Sequence, residues 1–209
     1  DLPTRKESEL MEILLSNGLT VHEITSCKNY EEYQKMAESA YYISYNSAAV
    51  AGGEMLSKRL GGTHIYVPFS FDYEEIVRGF RQLGDCLGIK IPDFSDRKRA
   101  CEQELKETFA LIGKTPIAID YTYCPRPFGL AKMLLDAGFA VEKVYVDSIS
   151  GEDQKDFDYL KEQFPDLVIY PTVHAGMRFM AKKESGSVLA IGQKAAYFEN
   201  TNHFVNVVE

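Results

Sequence analysis

Short apolar runs rich in β-branched and aromatic residues alternate along this chain with segments of helical period. That alternation restricts the fold more than any other feature. Thr20–Ile24, Tyr41–Tyr45 and His64–Val67 read as strands, with helices expected at about 5–17, Tyr30–Glu38, 48–60 and 72–87. Elements of this order and size form right-handed βαβ crossovers, and hence parallel sheets covered by helices.

A second series follows, with strands at 116–121, 140–146, 167–170, 187–191 and 203–208 separated by helices at 127–137, 153–163, 174–183 and 194–199. Between the two series, Ser95–Ile112 is charged and has no strand on its N-terminal side, so it reads as a connecting helix. The expected class is α/β: two Rossmann-like units with parallel sheets, residues 1–93 and 114–209, joined by the helix within 94–113. At the start, Thr4-Arg5-Lys6-Glu7 is a capping-box pattern and Gly18 a helix-ending glycine. The chain begins without Met and stops on the strand-like run Phe204–Glu209. It therefore reads as a piece of a longer protein, truncated at both ends, with the first unit incomplete.

A formal net charge of −8 and the lack of a Lys/Arg stripe interleaved with aromatics argue against nucleic acid as a partner. No run approaches the roughly 18 apolar residues of a membrane span, and no signal-peptide core follows the first residues, so a cytoplasmic protein is expected. The four cysteines, Cys27, Cys86, Cys101 and Cys124, show no CxxC spacing. Neither a zinc site nor a disulfide framework is indicated, and a reducing compartment fits.

The glycine pairs Gly52-Gly53 and Gly61-Gly62 do not form a nucleotide-binding loop after a strand. Three strand-to-helix loops carry chemistry instead: Asn46-Ser47-Ala48, Cys124-Pro125-Arg126-Pro127 and Gly192-Gln193-Lys194. In a parallel sheet each points to the carboxyl edge, where helix N-termini present free N–H groups. Arg126 and Lys194 add positive charge suited to an anionic ligand. Each loop also has an ordinary reading, with Pro127 as a first-turn proline, Arg126 solvated and Lys194 merely tolerated at a helix start. Cys124, beside an arginine and a helix N-terminus, is a candidate thiolate, or else a small buried apolar residue. His174, after Tyr170-Pro171-Thr172-Val173, is a candidate proton donor, while His22, His64 and His203 read as structural. Tyr45, Tyr121, Tyr123 and Tyr170 at strand ends could line an aromatic pocket, or simply suit half-buried positions.

The order of elements resembles the nitrogenase component 1 family of oxidoreductases. The local matches are Tyr45-Asn46-Ser47 through Gly61, Arg126-Pro127, and Val188–Phe198 followed by His203-Phe204-Val205. The resemblance spans nearly the whole chain but only the later part of a family chain of the α type. It implies a nitrogenase-like reductase subunit or a cofactor-assembly scaffold. Such a protein holds an anionic metal cluster or tetrapyrrole-like ligand, pairs with a homologous α/β-type subunit and takes electrons from an ATP-dependent iron–sulfur reductase protein.

Family chains place the cysteines of their inter-subunit iron–sulfur cluster in the absent N-terminal part, so the fragment is expected to bind no cluster alone and to hold no metal-ligand set. Where nitrogenase α chains ligate their cofactor through a Cys and a His, this chain has Tyr45 and, near the His position, Val208. The resemblance thus argues against dinitrogen reduction. It assigns Arg126 and Lys194, with Gln193, Tyr45 and Ser47, to ligand binding, and Cys124 and His174 to thiolate or proton-donor roles. Two other readings stand beside it: a two-lobed small-anion binding module without redox activity, and a subunit interface on the helix at 95–112.

Overall fold

The computed structural model describes residues 4–5, 7–180 and 187–206. By packing, the chain forms two units, one made of the chain up to Pro68 with Ile76–Phe94, the other of Phe69–Glu75 with the chain from Ser95 on.

In the first unit, α1 (Glu9–Ser16) starts at Ser8, whose side chain accepts from the Met11 N–H, and it buries Met11, Ile13 and Leu14. Helix thus begins later than the pattern at Thr4 suggests, because the Thr4 N–H is taken by Glu23 Oε1 at 2.9 Å. After α1 the structure departs from expectation again. Thr20–Ile24 forms no strand; the chain closes a 3-10 turn at Ile24–Ser26 instead. Helix α2 (Tyr30–Lys35), capped by Asn29, leads into a 3-10 turn at Met36–Glu38. Strand β1 (Tyr41–Ser44) connects through α3 (Val50–Leu60) to β2 (Thr63–Tyr66), its parallel partner, with Ile43 opposite Ile65. Helix α4 (Tyr73–Leu87) packs its Leu83 on Ile65 and Val67 in the core of this unit. Burying such a side chain contributes about 1.5–3 kcal/mol.

In the second unit α5 (Ser95–Ile112) buries no residue fully, and Leu105, Phe109 and Ile112 lean on the core. Then come β3 (Pro116–Asp120), α6 (Pro127–Asp136), β4 (Ala140–Val146), α7 (Gln154–Gln163), β5 (Val168–Pro171), β6 (Leu189–Ile191), α8 (Gln193–Glu199) and β7 (Phe204–Val205). The expected helix at 174–183 is a 3-10 turn, Ala175–Phe179, and residues 181–183 lie outside the described residues. The final strand is shorter than expected, and its residues 207–208 also lie outside them.

The strands pair in parallel in the order β5-β4-β3-β6-β7. The two-residue pleat sends Ile117, Ile119 and Val144 to the core on one face and Ala118, Tyr145 and Ala190 to the core on the other. Phe128, Leu130 and Leu134 of α6 and Leu160 of α7 fill the first face, and the small Ala195 and Ala196 let α8 approach the second. Chain order runs outward from β3 through β4 to β5, then returns to β6 on the other side of β3. The reversal puts the topological switch point at the carboxyl ends of β3 and β6, the usual ligand position in open α/β sheets. Among the described residues no helix is long and apolar enough to cross a membrane.

Candidate functional site

The loop after β3 turns inward. Arg126 is only 4 % exposed and serves as the residue before α6, with Pro127 at the first helical position. Its Nη1 donates to Glu75 Oε2 at 2.9 Å and to the Phe69 carbonyl at 3.2 Å, and its Nη2 donates to Asp156 Oδ2 at 2.7 Å. Nε lies 3.7 Å from Asp153 Oδ1, beyond hydrogen-bond reach. Burial works against the guanidinium charge, but the bonds to Glu75 and Asp156 outweigh it and hold the group protonated. Burial also pushes Glu75 upward, yet the Ser70 hydroxyl and Arg126 bring its carboxyl down to about 2. Arg126 is thus occupied by three carboxylates and a carbonyl of its own chain.

Asp153 completes the cluster from the start of α7. Its carboxylate accepts from the Phe128 and Gly129 N–H groups, both at 3.0 Å, so it fills the N-terminus of α6. Burial raises its pKa, and the two N–H donors and Arg126 counter only part of that rise. Cys124, 7 % exposed, lies beside this cluster. Burial pushes its thiol up to about 12, helped by Asp153 and Asp120 and opposed by the Arg126 backbone and guanidinium. The thiol is therefore neutral, whereas an arginine and a helix start alone lead one to expect a thiolate.

At the switch point between β3 and β6, Asp120 ends β3 fully buried. It accepts from the Thr122 N–H at 2.6 Å and from the Ala195 N–H in the first turn of α8 at 2.6 Å. Gly192, at φ +110°, makes room for it, since a Cβ there would lie 2.3 Å from Asp120 Oδ2. Lys194 projects from the first turn of α8 with its side chain 42 % exposed. Its Nζ donates to the Tyr121 hydroxyl and stands 4.2 Å from that ring's centroid and 3.9 Å from Asp147 Oδ1. Asp147 also accepts from the Thr172 hydroxyl. The ends of β3, β4 and β5 therefore meet the start of α8 in one polar, partly open constellation of Tyr121, Asp147, Thr172 and Lys194. Gln193 is exposed next to it.

His174 is exposed, and its Nδ1 accepts from the Gly176 N–H at 3.1 Å, capping the 3-10 turn. Tyr45 and Ser47 belong to the first unit, at the end of β1. Tyr45 is 43 % exposed, and Ser47 opens a 3-10 turn capped by Asn46. Val208 lies outside the described residues. The second unit thus brings Lys194 and Gln193 together at the carboxyl end of β6 and sets Cys124 with Arg126 in the interior. Sequence reasoning missed Glu75, Asp153 and Asp156 around Arg126, and Asp147 and Thr172 beside Lys194. The signal for the first group was a pair of acids three apart at the start of a predicted helix. Cys27 is half-buried, Cys86 and Cys101 are exposed, and no three His, Cys, Asp or Glu side chains among the described residues gather as a metal site.

A family model described as nitrogenase component 1 type oxidoreductase matches residues 5–208. The fold is similar to that of a solved structure described as "Nitrogenase Cp1 at pH 6.5", with a TM-score of 0.52 at 17% identity. That match covers 82% of this chain and 39% of the nitrogenase chain, so this chain spans well under half of the protein it resembles. A search of curated proteins returned no match.

Proposed function

The chain belongs to the nitrogenase component 1 type oxidoreductase family, and from that premise we propose that it is part of a nitrogenase-like reductase subunit or cofactor-assembly scaffold. In this reading the whole protein holds an anionic metal cluster or tetrapyrrole-like ligand, pairs with a homologous subunit and receives electrons from an ATP-dependent iron–sulfur reductase protein. Dinitrogen is not its substrate, because Tyr45 stands where nitrogenase α chains carry a cofactor-ligating cysteine. The domain scheme of 1–93, a connecting helix in 94–113, and 114–209 belongs to the same reading.

The observation that carries the proposal is Lys194 held against Tyr121 at the switch point between β3 and β6, with part of its side chain open to solvent. A lysine there, with Gln193 beside it, suits the negative group of a bound ligand. The described residues do not fit as ligands of a metal cluster, since no three His, Cys, Asp or Glu side chains among them converge. This chain is therefore assigned a wall of the pocket, and any metal takes its ligands from elsewhere in the complex. Arg126, Tyr45 and Ser47 belong to the same proposed ligand site, with Cys124 and His174 as candidate thiolate or proton-donor contacts.

The test is to purify the full-length protein with its partner subunit and reductase, then measure iron, the optical spectrum and ATP-dependent electron uptake. A coloured complex that takes up electrons, and that loses its chromophore in Lys194→Glu while keeping its far-ultraviolet circular dichroism, is the expected result. Full retention of the chromophore in Lys194→Glu would overturn the assignment of the site. A colourless protein without redox response would overturn the oxidoreductase reading in favour of a small-anion binding module.

A further inference from the structure

Helix α7 carries a charged residue on a face that is otherwise apolar. Phe157, Leu160 and Phe164 recur at the spacing of one helical face, and Lys161 belongs to the same stripe. Leu160 closes on the core, whereas Phe157 and Phe164 are only half-buried. Across from them β5 is an edge strand, and Leu167 and Ile169 also leave apolar surface open. Between α7, β5 and the loop after β4 lies a groove of about 670 Å³, with Ile149 in its wall. Small-molecule sites fall in the range of roughly 300–1,000 Å³ and have mostly apolar walls with a few polar groups.

The groove lies on the α6 and α7 side of the sheet, whereas α8, which carries Lys194, covers the other. Asp147 borders the groove, but its carboxylate accepts from the Thr172 hydroxyl and stands 3.9 Å from Lys194 Nζ. Lys161 is exposed at the rim and makes no ion pair among the described residues. A cation without a counter-ion beside uncovered aromatic and aliphatic surface describes one kind of guest. An inorganic anion would satisfy the ammonium and leave the apolar walls wet. A neutral hydrocarbon would cover the walls and strip water from the ammonium without replacing it. A molecule with an apolar body and one anionic group does both.

We propose that the groove between α7 and β5 binds an apolar organic acid, its body against Phe157, Phe164 and Ile169 and its carboxylate paired with Lys161. This site is separate from the one at the switch point and does not rest on the reading of the chain as part of a reductase or scaffold.

The full chain is titrated with 1-naphthaleneacetate and with its uncharged amide, whose apolar body is the same, and binding is followed by heteronuclear magnetic resonance. The acid is expected to bind one molecule per chain with a dissociation constant below about 1 mM, shifting the backbone signals of Ile149, Leu167 and Ile169. The amide is expected to bind about fivefold more weakly, and Lys161→Gln to remove that difference, as for one exposed charge pair. Equal affinity of acid and amide in the wild type would overturn the proposal, as would shifts confined to other residues. Binding of the acid that is undiminished in Lys161→Gln but lost in Lys194→Glu would put the anion at the switch point and refute it too. So would a dimer that dissociates in Leu167→Glu while the wild type binds neither compound, since a second copy would then fill the groove. None of these outcomes involves the partner subunit or the reductase, so they leave the oxidoreductase reading to its own test.

Discussion

Arg126 donates from Nη2 to Asp156 Oδ2 at 2.7 Å, and both side chains are buried, 5 % and 11 % exposed. The same guanidinium reaches Glu75, so one cation joins the first turn of α4 to the start of α7. Replacing it with Leu leaves Glu75, Asp153 and Asp156 facing one another without a counter-charge, which costs about 3–5 kcal/mol. Urea unfolding of Arg126→Leu measures that loss. Arg126→Lys recovers only part of it, because a single ammonium does not reproduce the planar fork that serves two partners. A midpoint equal to wild type in Arg126→Leu would show that the cluster contributes nothing to holding the unit together.

Acid weakens the same cluster through Glu75. Its folded-state pKa lies below the ordinary 4.5, at about 2, so its contribution is complete above pH 4.5 and is lost as pH falls toward about 2. Asp153, whose pKa is raised, acts in the opposite sense, since its protonation in acid favours the folded state. Stability measured from pH 5 to about 2 in wild type and in Glu75→Gln isolates the first effect. The variant is expected to lose less stability over that range than wild type, and equal slopes would refute the assignment.

Cys124 resists alkylation. With its thiol pushed up to about 12 by burial, it presents almost no thiolate near neutral pH. Peptide mass analysis after brief iodoacetamide treatment should find the exposed Cys86 and Cys101 modified and Cys124 intact until denaturant is added. Early labelling of Cys124 would mean that the loop after β3 opens readily.

Gly192 and Asp120 are coupled. Alanine at 192 suffers both a backbone at φ +110° and a Cβ 2.3 Å from the carboxylate, so Gly192→Ala is expected to lose about 1–3 kcal/mol or more. Asp120→Ala removes the clash but also the cap of α8. The double variant should therefore be more stable than the sum of the two single losses, by an interaction of at least about 0.5 kcal/mol. Additive losses in thermal unfolding would show that the two residues act separately.

Much of the architecture was legible because period and length agreed. The helix at Ser95–Ile112 was read from its charge and the absence of a preceding strand, the strand at 140–146 from its place in the alternation, and both bounds stand as read. Thr20–Ile24 failed because alternation describes a strand only if a neighbour pairs with it, and among the described residues of this unit the ladder joins only β1 and β2. The site was harder to read. Arg126 was visible as a charge on a loop, but its acids come from 51 and 30 residues away, so the sequence could not tell a guanidinium aimed at a ligand from one already neutralised. Lys194 was expected at the carboxyl edge, and it follows β6 in the first turn of α8. Its partners Tyr121, Asp147 and Thr172 became a group only when β3, β4 and β5 aligned their ends.

Asp153 at the start of α6 and Asp120 at the start of α8 have one further consequence. Proteins whose helix N-termini stand open are commonly steadied by sulfate or phosphate from the medium, because the salt supplies the negative charge those ends lack. Here the chain carries both counter-anions in covalent form. Its folded state should therefore be indifferent to the identity of the buffer anion at those two positions, and any anionic guest must displace an internal carboxylate before it can use them.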